Sequence, residues 1–291
     1  MKKVKCWIEA MRLRTLPVSV AGVIMAIGYN ISTGTLKCLP VLLCLAFAVL
    51  CQIASNFANE YYDYKAGRDR VGREGPRRGV TEGDIAPRAM KFAIFAVLAA
   101  AALIGLSLTC WGGLWLIAAG ILIGVGALAY STGPWPLSTH CLGEVAVIIF
   151  FGIIPVNLTY YVQALQWSPA VAAGSLALGL MGANVLIVNN YRDIDDDKAV
   201  GKHTLATVFG RKAMLALYIF NTIAASLLTL SQWYAKGPMW TIVPSLYTVF
   251  SIQIAFSMRH AEGARLTPFL GKTAILMLAY SICFLIMEAV A

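Results

Sequence analysis

Nine stretches of this chain are apolar over roughly the length a bilayer demands, and nothing else in the sequence constrains the fold as strongly. They run near 16–32, 39–58, 90–110, 113–130, 144–163, 169–188, 213–231, 239–257 and 268–290. A spanning helix needs about 20 predominantly apolar residues, whereas spanning strands are about half as long. Every polar stretch between them is shorter than about 35 residues, so no separate soluble domain is expected. Composition agrees: 59% of residues are hydrophobic and 13% charged, against roughly a quarter charged in a soluble domain. The expected architecture is all-α, an integral membrane bundle of about nine transmembrane helices forming one domain over 1–291. The basic N-terminus is not followed by a cleavage site and a polar chain, so no signal peptide is expected. The seven cysteines are scattered through apolar segments without a Cys-x-x-Cys and read as packing residues rather than disulfides or a zinc site.

Charge orients the bundle. If the N-terminus and the loops after the second, fourth, sixth and eighth segments share one side, that side holds 21 of the 23 Lys and Arg residues, and only Lys37 and Lys236 lie opposite. An asymmetry of that size marks the basic side as cytoplasmic. The protein is therefore expected in the cell (inner) membrane, with its N-terminus cytoplasmic and its C-terminus outside. The net charge of +9 reflects this topology and attraction to lipid headgroups, and nucleic-acid binding is not indicated.

The acids are concentrated instead. Ten of the fourteen Asp and Glu residues lie in 60–84 or 193–197, at the cytoplasmic ends of the second and sixth segments. Two matched islands sit there, Asn59-Glu60-Tyr61-Tyr62-Asp63 and Asn189-Asn190-Tyr191-Arg192-Asp193. Each reads Asn-x-Tyr-x-Asp, and they are 130 positions apart. Asn59 and Asp63 are spaced i, i+4, as are Asn189, Asp193 and Asp197, which places them on one helix face. Asp69 follows the first island. Carboxylates at membrane helix ends are costly unless they face a wet cavity. Oxygen-only clusters suit Mg²⁺, with Mn²⁺ as a substitute, which binds one or two carboxylates and completes its shell with phosphate and water. The metal ligands expected are Asp63, Asp69, Asp193 and Asp197.

Cations stand beside the acids: Lys65, Arg68, Arg70, Arg73, Arg77 and Arg78, then Arg192, Lys198 and Lys202. Acids holding Mg²⁺ with Lys and Arg around them form a cradle for a diphosphate, and the apolar surroundings suggest that it carries a lipid chain. The bland alternative, solvated helix ends paired with nearby Lys or Arg, loses ground because two matched islands lie on one face. Arg12 and Arg14 read as positive-inside anchors, the alternative being contact with a substrate carboxylate. Glu144 either lines the cavity or is an acid favoured at a helix N-terminus. His140, His203 and His260 read as solvated loop residues.

These motifs resemble the UbiA superfamily of intramembrane aromatic prenyltransferases over nearly the whole chain. Arg12 to Pro17 looks like the family's entry to its first helix. Asn56 to Asp69 looks like its first Asp-rich motif, and Asn189 to Asp197 with Gly201-Lys202-His203-Thr204-Leu205 like its second. Tyr130-Ser131-Thr132-Gly133-Pro134-Trp135-Pro136-Leu137, Gly143-Glu144 and Phe150-Phe151-Gly152 resemble the branch that prenylates 1,4-dihydroxy-2-naphthoate. Glu60 stands where the family usually has Asp.

The resemblance implies transfer of a polyprenyl chain from polyprenyl diphosphate to the aromatic acid, with decarboxylation, giving demethylmenaquinone. Asn59 and Asn189 would orient bound groups. Lys65, Arg68, Arg192, Lys198 and Lys202 would stabilise charge on the leaving pyrophosphate. Tyr61, Tyr130 and Tyr191 are candidates for shielding the allylic cation or touching the ring, although Tyr is also common at membrane interfaces. Beyond the membrane lipid and these substrates, no protein partner is evident. Competing readings are another acceptor (4-hydroxybenzoate or homogentisate), or a transporter of an organic phosphate. Transporter sites favour the bilayer midplane, whereas these islands sit at helix ends. A CDP-alcohol-type transferase would need Asp-Gly-x-x-Ala-Arg, which does not occur.

Overall fold

The computed structural model describes residues 2–72, 75 and 77–291; Arg73, one of the cations expected beside the first motif, lies outside them. Among the described residues the regular structure is helical, apart from one isolated bridge between His140 and His203. A short helix α1 (Lys2–Met11) leads into α2 (Leu16–Ser32), with Arg12 at the break in a left-handed conformation (φ 53°). Then follow α3 (Cys38–Lys65), α4 (Pro87–Gly112) and α5 (Leu116–Ala129). The next span begins with α6 (Gly143–Val147), widens into a π-turn over Ile148–Ile153 and continues as α7 (Ile154–Ala164). The chain goes on through α8 (Pro169–Arg192), the short α9 (Ile194–Ala199), α10 (Leu205–Ala235), α11 (Ile242–Met258) and α12 (Thr267–Val290).

All nine expected apolar segments are occupied by helix. Eight are long and apolar enough to cross a bilayer, which makes this a multi-pass membrane protein; the other, α5, has only 14 residues, about 21 Å at 1.5 Å per residue. Large apolar side chains are exposed around the outside, among them Phe92, Leu103, Ile121, Phe220, Val249 and Ile275. In water such a surface would aggregate, and in a bilayer it faces lipid. The segment boundaries shift for identifiable reasons. Helix α3 runs seven residues past 58, so the first polar island is itself helical. Helix α10 begins at Leu205, where Thr204 and Thr207 cap it reciprocally, and bends at Gly210 (φ 78°), a conformation that favours glycine.

Helix α8 is the most enclosed of the spans. It packs along α10, α12, α7 and the π-turn, while α2 packs against α12 and α3 against α4. The π-turn has two local causes. Pro155 has no N–H, which removes one i→i−4 bond from the helix. Gly152 also meets Gly179 of α8 backbone to backbone, where a methyl on either residue would overlap the other helix. The widened turn brings Phe150 and Phe151 into the interior space between α3, α5 and α7.

Both polar islands, the α5 end and the α6 start share one end of the bundle. Lys37 bonds to Gln163 at the opposite end, and Lys236 pairs there with Glu288 near the C-terminus at 2.7 Å. The two Lys residues set apart by charge counting thus lie together, away from the motifs.

Candidate active site

Helix α3 carries its polar residues in a stripe at helical spacing: Gln52, Asn56, Asn59 and Asp63. Gln52 donates to Asn56 at 3.3 Å, Asn56 to the Met11 carbonyl at 2.9 Å, and Asn59 to Asp63 Oδ2 at 3.3 Å. Asn59 also donates to Ser131 Oγ (3.3 Å) and accepts from Arg12 Nη2 (2.5 Å). The left-handed turn at Arg12 swings the chain between α1 and α2 so that this guanidinium reaches the stripe.

The second island is built the same way on α8. Asn189 donates to Asp193 Oδ2 at 3.3 Å, mirroring Asn59 and Asp63. Arg192 grips Asp193 with two bonds, 2.6 and 2.9 Å, and donates to Asn189 Oδ1 at 2.9 Å. A bidentate fork of this kind holds a carboxylate in a defined orientation. Helix α8 ends at this point, and α9 continues the acidic face to Asp197.

Lys202 joins the two islands. It lies on the loop after α9, and its Nζ stands 3.3 Å from Asp63 Oδ2 and 3.6 Å from Asp197 Oδ1. Arg68 Nε flanks the other oxygen of Asp63 at 3.2 Å and also donates to the Ser131 carbonyl. Asp63, Asp193 and Asp197 are all buried. Buried carboxylates are tolerated only when paired, and here each has a cation: Asp193 its neighbour Arg192, Asp197 the nearby Lys202, and Asp63 both Arg68 and the distant Lys202.

Two cavities meet at this place. A polar chamber is lined by Arg12, Asn59, Arg78, Asn189, Asn190, Arg192, Asp193, Asp197 and Lys202, together with Thr15, Ser138 and Thr204. Beside it an apolar chamber extends along α3, α4, α5 and α7, lined by such residues as Phe47, Leu108, Leu116, Ile123, Phe150 and Leu158. Gln52, Ser55, Tyr130, Val147 and Phe151 border both. A ligand with a charged head and a long apolar tail matches this pair of spaces.

Several expectations need correction. Tyr191 is buried in the hydrophobic core with the Arg211 guanidinium over its ring, and Tyr61 packs edge-on against Tyr62; neither borders either chamber. The physical reason is helical phase: Tyr61 is two positions from Asn59 and Tyr191 two from Asn189, about 200° around each helix. Of the three tyrosines only Tyr130 reaches the junction of the chambers. Lys65 and Lys198 are solvent-exposed and line neither. Asp69 sits against Arg78, with 3.6 Å between Oδ2 and Nε, and it is Arg78 that borders the chamber. Asp63, Asp69, Asp193 and Asp197 do not converge on one point: among the described residues no three acids are grouped closely enough to hold one ion. Glu60 accepts from the Val80 N–H at 3.0 Å and serves the fold of the following loop.

Arg12, read as an anchor, is part of the chamber wall. So are Arg78, Ser138 and Asn190. The spacing of α3 could have suggested Asn56 and Gln52, which extend the Asn59/Asp63 line by one and two turns respectively. Nothing local in sequence indicates that Arg12 comes to lie beside Asn59, 47 positions away.

The chain matches the UbiA prenyltransferase family over residues 15–284. It is 30% identical to a 1,4-dihydroxy-2-naphthoate octaprenyltransferase of Haemophilus influenzae, covering 97% of this chain and 95% of that one. It is 34% identical to the enzyme of that name from Mycobacterium tuberculosis, over 95% and 94%. Among solved structures it resembles a UbiA homolog from Archaeoglobus fulgidus bound to DMAPP and Mg²⁺, with TM-score 0.65, 18% identity, and 94% and 98% of the two chains covered. It also resembles the apo structure of a UbiA homolog from Aeropyrum pernix, with TM-score 0.67, 18% identity, and 92% and 94% covered. The sequence match across the bundle and the shared fold lead to one conclusion: this chain belongs to the UbiA prenyltransferase family.

Proposed function

We propose that this protein transfers a polyprenyl chain from its diphosphate to 1,4-dihydroxy-2-naphthoate. One observation carries the reading: a chamber ringed by Lys202, Arg192, Arg78 and Arg12 opens directly into an apolar chamber within the membrane-spanning part. The diphosphate belongs in the first and the isoprenoid in the second. Support for this acceptor comes from the relatives of that activity named above, which align along nearly the full chain.

The donor set fits Mg²⁺. Asp63 and Asp197 offer hard oxygen ligands on either side of the Lys202 ammonium, and Mg²⁺ needs only one or two carboxylates, completing its shell with phosphate and water. Asp63, Asp193 and Asp197 would hold the ion or ions, with Asp69 behind Arg78 steadying that guanidinium. Mn²⁺ would serve the same oxygens. When bound, the metal supplies neutralisation of the diphosphate charge.

The protein's own groups do the rest. Lys202, Arg192 and Arg78 stabilise negative charge gathering on pyrophosphate as the allylic C–O bond breaks, and its electron pair leaves with the oxygen. Val147 and Phe151 at the junction exclude water from the allylic carbon, and Tyr130 borders the same place. The ring carbon bearing the carboxylate forms the new C–C bond. Loss of CO₂ returns its electron pair to the ring and leaves the quinol form of demethylmenaquinone, with no net proton released. Arg12, fixed by Asn59, is placed to attract an aromatic carboxylate. The basic motif end faces the cytoplasm, where the water-soluble acid is available.

The direct test is a membrane assay with Mg²⁺, a polyprenyl diphosphate and 1,4-dihydroxy-2-naphthoate, with 4-hydroxybenzoate in parallel. The prenylated, decarboxylated naphthalene product is expected, lost with EDTA and restored by Mg²⁺ or Mn²⁺. Turnover of 4-hydroxybenzoate alone would refute the acceptor assignment, and full activity in EDTA would refute the metal.

A further inference from the structure

Glu144 is a carboxylate buried to 4% exposure that the mechanism above does not use. It stands in the first turn of α6, whose positive end favours an acid. Its one side-chain hydrogen bond in the structure comes from Asn190 Nδ2 to Oε1 at 2.9 Å, and no Lys or Arg pairs with it among the described residues. Glu144 borders neither chamber, but Asn190, itself 7% exposed, borders the polar one.

This pairing has a directional consequence. A carboxylate oxygen accepts, so the amide of Asn190 must present its N–H₂ to Glu144. The carbonyl Oδ1 then points the other way, and no donor reaches it among the described residues. Asn190 borders the polar chamber, so a ligand that displaces water there leaves this carbonyl without a donor, at a cost in free energy, unless the ligand itself bonds to it. The same chamber also carries apolar lining, Val18, Val147, Phe151, Gly182, Val185 and Leu186. A flat aromatic ring with a hydroxyl on its edge suits that surface.

We propose that Asn190 is a specificity-determining residue that accepts a hydrogen bond from one ring hydroxyl of the aromatic acceptor, and that Glu144 is the positioning residue that holds the amide the right way round. The inference rests on the acceptor class proposed above and names how that acceptor is recognised. An acceptor without that hydroxyl leaves the carbonyl unpaired, and a site built for a hydroxyl rejects such analogues strongly.

The experiment compares the parent enzyme with Glu144→Leu, Glu144→Gln and Asn190→Ala, measuring KM separately for the acceptor and for the polyprenyl diphosphate. Glu144→Leu and Asn190→Ala are expected to raise the acceptor KM by about tenfold or more, the effect of one buried hydrogen bond. The diphosphate KM should stay within about twofold, because a hydrogen bond affects only the ligand that makes it. Glu144→Gln keeps an oxygen for the Asn190 amide and should remain near the parent. Equal rises in both KM values, or a lower kcat alone, would indicate a merely structural bond and overturn the proposal.

Naphthoates lacking one of the two hydroxyls provide a second measurement should Glu144→Leu fail to insert. The parent should discriminate against one of them, and Asn190→Ala should not. If the parent accepts both as readily as the dihydroxy acid, the proposal fails while the functional reading stands. A parent inert to 1,4-dihydroxy-2-naphthoate itself would overturn both together.

Discussion

At the scale of single residues, the site consists of buried carboxylates balanced by cations, some from the same motif and one, Lys202, shared between the two motifs. Asp63 lies between Arg68 and Lys202, and Asp193 is clasped by Arg192. Asp63→Asn and Asp193→Asn are therefore each expected to lower turnover by at least about 10²-fold, the usual loss when a charge-stabilising group is removed. Asn preserves shape, and monodisperse elution in detergent would show that the fold is kept. Near-parental turnover in both would remove the diphosphate cradle. Alanine at these positions is a harsher change, since it removes the acceptor oxygen and the side-chain volume as well as the charge. The paired motifs made Asn59, Asp63, Asn189, Asp193 and Asp197 legible from spacing alone. Tyr61 and Tyr191 were misread because a motif lists neighbours in sequence, while a helix turns alternate neighbours to opposite faces.

Among the elements, the π-turn between α6 and α7 is the feature that hydropathy could not show. An apolar run looks the same whether it winds by four or by five residues per hydrogen bond. Gly152 and Gly179 bring the π-turn and α8 into backbone contact, the close approach that small residues permit between membrane helices. Gly152→Val is expected to lower the detergent-solubilised melting temperature and to cost about 1–3 kcal/mol, as overpacking does. It should also reduce activity by shifting Phe150 and Phe151, and an unchanged melting curve would contradict this packing. Just after α4, Gly113→Ala offers a useful contrast: its φ is positive (86°), so strain and not crowding would be the source of any loss.

For the whole molecule, topology is the testable quantity. Twenty-one of 23 basic residues fall on the motif side of the sequence, and the two exceptions, Lys37 and Lys236, make their contacts at the other end of the bundle. A reporter inserted in the loop between α3 and α4 should read as cytoplasmic, and one fused after Ala291 as external; the reverse result would overturn the orientation. Fold class, the helical segments and the clustering of the acids at two helix ends were determined by the sequence itself, because lipid imposes segment length and every spanning helix must satisfy its own backbone. Which distant side chains meet across the bundle was decided only by the tertiary structure. Lys202 with Asp63, Arg12 with Asn59, and Glu144 with Asn190 are separated by 139, 47 and 46 positions. Such pairs form because the buried charges and amides of one helix accept whatever partner the packing of the others delivers, and no local pattern records that choice.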